Sequence, residues 1–259
     1  MFTISNVLMH QADRLTGRDT LAGLLVAAGL LCASPAWADP IDECMNAYDY
    51  PQIIAACTEI VGSGWASDQQ IALAFNNRAN AMDASGYAQA AIADYGRALA
   101  IDPHYLAALY NRASTFLAIG DYEQAIVDFD RVLKLDVRHV AAWHNRGLSQ
   151  LRRGALDKAI ADFSAALDLD PGLAYAFNNR GVAWRRKLNN DRAVADFSAA
   201  IALLPDYAGA LNSRGELYAA AGRTDLAVAD FRRVLAVIPD HAAANRNLKQ
   251  LLEVPIARQ

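Results

Sequence analysis

Ten charged side chains stand along this 259-residue chain at an interval that chemistry can use. Arg78, Arg112, Arg146, Arg180 and Arg214 recur every 34 residues, and Asp94, Asp128, Asp162, Asp196 and Asp230 each follow an arginine by 16. Five guanidiniums in a row could grip a bound anion. They could equally clamp one carboxylate each, because the planar fork of donors matches two carboxylate oxygens. A charge repeated among packing residues is costly unless paired, and here the aspartate is present every time. The spacing therefore predicts an Arg–Asp ladder, formed within units or between neighbours.

The remaining reactive side chains point away from catalysis. His104, His139 and His241 fall at turns and His144 on a helix, none at metal-ligand spacing from another histidine or a cysteine. No Gly-rich phosphate loop, nucleophile-elbow serine or His-Glu-x-x-His is present. The expectation is a binding protein without metal or cofactor, and not an enzyme. An uncharacterised envelope enzyme is the alternative from another class.

The ladder needs a repeated scaffold, and the sequence supplies one in blocks 72–105, 106–139, 140–173, 174–207 and 208–241. Each block holds two apolar stripes of helical spacing; in the third these are Trp143, Gly147 and Leu151, then Ala159, Phe163 and Ala166. Small residues recur at Ala79, Ala113, Gly147, Gly181 and Gly215, and again at Ala91, Ala125, Ala159, Ala193 and Ala227. Four residues after each of the latter stands Tyr95, Phe129, Phe163, Phe197 or Phe231, one turn on along the same face. Gly86, Gly120, Gly154 and Gly222 interrupt the units near their middle, and Pro103, Pro171, Pro205 and Pro239 close them. Asp121 is placed as an N-cap. Each block reads as a helix–turn–helix, and a period of this kind dictates a stack rather than a single core.

This pattern resembles the tetratricopeptide repeat, with Phe177, Gly181, Trp184, Ala193, Phe197 and Pro205 in the fourth block and Trp143, Gly147, Ala159, Phe163 and Pro171 in the third. The resemblance covers about residues 68 to 253 and implies an all-α, right-handed solenoid of five hairpins. There are departures. Arginine stands where the family usually has leucine, preceded by Asn77, Asn111, Asn145, Asn179 and Ser213. Val137 replaces the second closing proline, which suggests a smoother helix end there. Leu188 replaces the fourth mid-unit glycine, with Asn189 or Asn190 expected to take the left-handed cap. The resemblance also implies that first helices line a concave face, with Asn76, Tyr110, His144, Asn178 and Asn212 pointing into it. Asn80, Ser114, Leu148, Val182 and Glu216 follow one turn on. This amide-rich row would suit the backbone of an extended peptide; the alternative is an ordinary solvated face. Arg152, Arg153, Arg185, Arg186 and Lys187 end two neighbouring first helices and form a basic edge. They either answer the helix dipole or dock an acidic segment.

The termini read as an address and two caps. Residues 21–33 are an uncharged apolar run, preceded by Arg14 and Arg18 and followed by Ala36-Trp37-Ala38. These are the parts of a secretory signal over residues 1–38, cleaved after Ala38, with Met1 or Met9 as the start and an uncleaved anchor as the alternative. Cys44 and Cys57 then remain, and an even count in an exported chain predicts a disulfide. Pro51 lies midway, so helices over 43–49 and 52–61 would bring the two cysteines level; on one helix they would be about 19 Å apart. Residues 39–65 are thus expected to be a stapled capping hairpin, 66–241 the repeats, and 242–259 a capping helix and tail. The chain carries 24 basic and 28 acidic residues, a net −4, which argues against nucleic acid as a partner. The combined expectation is a periplasmic scaffold for a protein or peptide, with no stable membrane span after cleavage. A structural subunit of an envelope assembly, using convex or end surfaces, is the alternative.

Overall fold

The computed structural model describes residues 39–253. Among these residues there are thirteen α-helices and no strand. They are α1 Pro40–Asn46, α2 Tyr50–Gly62, α3 Asp68–Ala84, α4 Ala88–Ile101, α5 Leu106–Ile119, α6 Tyr122–Leu135 and α7 Val140–Arg152. Then come α8 Leu156–Leu169, α9 Ala174–Arg186, α10 Asn190–Leu203, α11 Ala208–Ala220, α12 Thr224–Val237 and α13 Ala242–Glu253. The pairs α3–α4, α5–α6, α7–α8, α9–α10 and α11–α12 are the five hairpins that the 34-residue period requires. The expected leader, residues 1–38, lies outside the described residues, as does the tail from 254.

Each hairpin closes around one ring. Tyr95, Phe129, Phe163, Phe197 and Phe231 are fully buried on the second helices, together with the alanines one turn before them. The facing small residue on the first helix is what admits the ring. A Cβ added at Gly147, Gly181 or Gly215 would stand about 3 Å from the ring of Phe163, Phe197 or Phe231. Every helix packs on the next in sequence, and the buried apolar residues form four clusters strung along the file.

The contacts also set the direction of curvature. First helices of consecutive units touch one another, α3 on α5, α5 on α7, α7 on α9, α9 on α11, and α11 on α13. Second helices of consecutive units do not come into such contact. A file that is tight along one row and open along the other must bend with the first helices inside.

Two turn expectations need correction. Leu188, not a neighbouring asparagine, takes the left-handed conformation, with φ 60°. The helix-ending bonds demand that geometry there: Leu188 N donates to Arg185 O and Asn189 N to Trp184 O, as Gly86 and Tyr87 do in the first unit. Asn189 is already committed as the N-cap of α10, accepting from Arg192 N. Nor is the junction at Val137 smoother than the others. Asp136 Oδ1 accepts from Arg138 N, the same turn that Asp102 makes with His104 and Asp170 with Gly172. The aspartate side chain fixes this bend, so the proline is dispensable.

Both ends are capped. Cys44 and Cys57 form a disulfide with Cα atoms 4.9 Å apart, and both are buried between α1, α2 and the first full unit. Pro51 sits in the first turn of α2, where its missing N–H costs nothing. At the other end, Leu248 and Leu251 of α13 pack on the last hairpin while Leu252, expected on the same face, is exposed. No helix among the described residues is long and apolar enough to cross a membrane.

Candidate functional site

The Arg–Asp register forms within units. Arg78 Nε and Nη2 donate to Asp94 Oδ2 and Oδ1 at 2.6 and 3.0 Å. The same bidentate clamp joins Arg112 to Asp128, Arg146 to Asp162, Arg180 to Asp196 and Arg214 to Asp230, at 2.7–2.9 Å. The five aspartates are buried. Burial pushes the Asp162 carboxyl up, and the Arg146 bonds partly offset it; at Arg146 the paired carboxylates outweigh burial and hold the guanidinium charged.

The third guanidinium nitrogen does a different job. Arg78 Nη1 reaches back to Thr58 Oγ1, Arg146 Nη1 to Asp130 Oδ1, Arg180 Nη1 to Ser164 Oγ and Arg214 Nη1 to Ser198 Oγ, at 2.5–2.9 Å. Arg78, Arg146, Arg180 and Arg214 therefore each close their own hairpin and tie it to the preceding second helix, whereas Arg112 closes its hairpin alone. Asp130, Ser164 and Ser198 share one phase of the repeat, so their role was visible as a spacing but not as a residue type.

The asparagine before each arginine makes a second set of rungs. Asn77 Nδ2 donates to Cys44 O, Asn111 Nδ2 to Asn76 and Asn80 Oδ1, and Asn145 Nδ2 to Tyr110 Oη. Asn179 Nδ2 meets His144 Nε2 at 3.1 Å, and His144 Nδ1 lies 3.1 Å from Asn145 Oδ1. A neutral His144 with its proton on Nδ1 satisfies both partners, and burial lowers its pKa below the usual histidine value. The rungs stop at Ser213. Among the described residues, Asn178 Oδ1 and Asn212 Oδ1 are buried there without a donor, as is Gln150 Oε1.

These bonds decide what the expected groove row can offer. Asn76 is buried, and Asn76, Tyr110 and His144 are each engaged by the next unit's asparagine, at the seam between first helices. The row one turn on is the accessible one. Asn80 is exposed, and Ser114, Leu148, Val182 and Glu216 are half-buried side by side. Within that row Asn80 accepts from Tyr95 Oη, and Glu216 takes bonds from Arg185 and Asn212.

The basic edge is largely neutralised. Arg153 pairs with Glu123, Arg185 with Glu216 and Lys187 with Asp157, while Arg186 donates to Leu151 O. The carboxylates lie 30 or 31 residues from their cations, out of phase with the repeat, which hid them from a reading by period. Arg152 is exposed on this edge. No group of three or more His, Cys, Asp or Glu among the described residues is arranged to hold a metal ion.

The comparisons agree with this architecture. The tetratricopeptide-repeat family model matches residues 76–130, 110–174 and 178–245. The crystal structure of MamA is similar over 66% of this chain and 96% of that one, at 23% identity and a TM-score of 0.59. MamA from Desulfovibrio magneticus RS-1, residue 41 to the end, is similar over 66% and 97%, at 20% identity and 0.62. YrrB, described as a TPR protein with an unusual peptide-binding site, is similar over 76% and 99%, at 20% identity and 0.62. At such identities the likeness speaks for the fold alone. The comparison with curated proteins gives no match. Five hairpins in phase, a small residue seating a ring in each, and a family match spanning more than half of the sequence place the chain in the tetratricopeptide repeat family.

Proposed function

We propose that this chain is an exported scaffold that binds another protein or an extended peptide through the concave face of its first helices. The observation that carries this reading is the contact pattern. First helices pack side by side while second helices stand apart, so Asn80, Ser114, Leu148, Val182 and Glu216 form one continuous strip on the inside of the curve. The arginine and asparagine rungs fix the hairpins to one another before any partner arrives. A surface held rigid in advance loses less entropy on binding. The peptide-binding site described for YrrB, a protein of the same fold, supports the reading by analogy. Export is supported by the signal-like residues 1–38 and by the disulfide, which belongs to an oxidising compartment.

Position-specific photocrosslinking in the cell envelope tests it. A photoreactive side chain at Ser114 or Leu148 should trap one discrete partner, and the same group at Leu226 on α12 should not. Trapping from Leu226 alone would assign the work to the convex surface instead, the structural-subunit alternative. Retention of the full-length chain in the cytoplasm would refute export.

A further inference from the structure

The two ends of the concave strip differ in how their charges are answered. Arg185, near the end of α9, reaches to the next unit and donates to Glu216 on the strip. Steps of 34 residues lead from Arg185 back through Leu151 and Leu117 to Asp83. Asp83 thus holds in the first unit the place that Arg185 holds in the fourth. It is half-buried, with Thr115 of the next unit beside it, and among the described residues no lysine, arginine or histidine pairs with it. Burial pushes its carboxyl up, and the Thr115 hydroxyl partly offsets this. Burial, and then the Asp83 charge, push up the Tyr95 hydroxyl as well, and that hydroxyl donates to Asn80 on the strip.

The surroundings of Asp83 supply no counter-charge. From Asp39 to Ile101, the end of α4, the chain has eight side-chain carboxylates and two guanidiniums. Both guanidiniums, Arg78 and Arg97, bear on Asp94. The other seven carboxylates have no cation among the described residues, on a chain whose total is only −4. Cleavage after Ala38 would add one amino-terminal charge against those seven. Farther along the strip, charge gives way to apolar surface: Leu117, Leu148 and Val182 are half-buried and make its middle. Beyond them, Glu216 is already taken by Arg185.

We propose that the strip takes an extended segment of a partner protein that sets a lysine or arginine on Asp83 and apolar side chains on Leu117, Leu148 and Val182. This deepens the proposed function and rests on the groove reading. Covering a half-buried carboxylate with an apolar or amide group costs desolvation with nothing in return. An ammonium or guanidinium turns the same burial into a charge-assisted hydrogen bond. The unanswered carboxylates around Asp83 draw a cationic segment in and repel an acidic one. The middle of the strip has no charge to meet, so apolar contact supplies the affinity there. The groove therefore has a polarity, with its cation subsite at the first unit and its apolar subsites at the second to fourth.

Selection from a phage-displayed library of random heptapeptides on the purified exported chain tests this. Expected is an enrichment of about ten-fold for lysine or arginine at one position of the bound peptides, the selectivity of one charge-assisted contact, with Leu, Ile, Val or Phe close by. Asp83→Asn should abolish the cation preference and keep the apolar one. Asp83→Lys should exchange it for aspartate or glutamate. Asp42→Asn combined with Glu43→Gln, on the exposed cap, should leave it intact. Bound peptides without a cation preference, a preference that survives in the Asp83 variants, or one lost with the cap carboxylates alone would each overturn the proposal and leave the groove reading standing. A selection unchanged by Leu148→Asp, or no peptide selected at all, would overturn both. Circular dichroism of the Asp83 variants should match the parent; if Asp83→Lys does not fold, Asp83→Asn decides.

Discussion

Replacing Arg146 by leucine should destabilise the chain at its third unit, and the structure sets the size of the loss. Arg146 makes two bonds to Asp162, whose side chain is 7% exposed, and one to the half-exposed Asp130. Its guanidinium also lies 4.6 Å from the Trp143 ring. The Asp130 bond and the ring contact contribute little each, on the order of 0.5–1 kcal/mol. The main term is the carboxylate left behind. Removing one partner of a buried pair costs about 3–5 kcal/mol, and because Arg146 is 18% exposed the lower half of that range applies. Urea unfolding at pH 7 should therefore show a loss of about 3–4 kcal/mol, with an unchanged m-value. The pH dependence is a second check. Burial already pushes the Asp162 carboxyl above its usual value, and losing Arg146 pushes it further. A group with a raised folded pKa is least costly when protonated, so the deficit should shrink as pH falls towards the carboxylate range and grow towards neutrality. Arg146→Lys should recover only part of the loss, since an ammonium cannot span both oxygens. Adding Asp162→Asn to Arg146→Leu should recover much of it. A loss below about 0.5 kcal/mol at pH 7, the size of an exposed pair, would refute the reasoning.

Other substitutions probe other parts of the file. Leu188→Gly should stabilise the chain by about 1 kcal/mol in the same assay, because glycine removes the left-handed strain at an exposed position. Ser213→Asn restores a donor in phase with Asn111, Asn145 and Asn179 and should give the buried Asn178 Oδ1 a partner. The expected gain is about 1 kcal/mol, with slower amide exchange in α9 and α11. His144 has a lowered pKa, so the unfolded chain binds its proton first as the solution is acidified. Its contribution is whole above the ordinary value of 6.5 and falls below it, by up to about 1.4 kcal/mol per pH unit. Melting from pH 7.5 to 5.5 should show the decline, and His144→Asn should flatten it.

The fold was legible because each unit repeats the same solution. The 34-residue interval, the small residues facing the rings, and the glycines between helices each state a local geometry. The aspartates announced that every arginine would be paired, but whether within a unit or between neighbours was open, because one 34-residue period fits both. The asparagine rungs were not legible. Their acceptors are a backbone carbonyl, an amide, a phenol and an imidazole, at Cys44, Asn76, Tyr110 and His144, so no repeated residue type betrays them. Without those rungs, the row they consume reads as the groove lining. Leu188 was misread for a related reason: the terminating bonds of α9 set the backbone, and Asn189 was needed one position later as a cap.

Each hairpin is closed by its own guanidinium–carboxylate clamp, and the clamp protons report on that directly. Hydrogen exchange of arginine Nε–Hε signals should find those of Arg78, Arg112, Arg146, Arg180 and Arg214 strongly protected and that of Arg152, which is exposed, unprotected. Exchange of the five at the rate of Arg152 would mean that the clamps stand open in water, and would contradict the structure on which the proposed binding face depends.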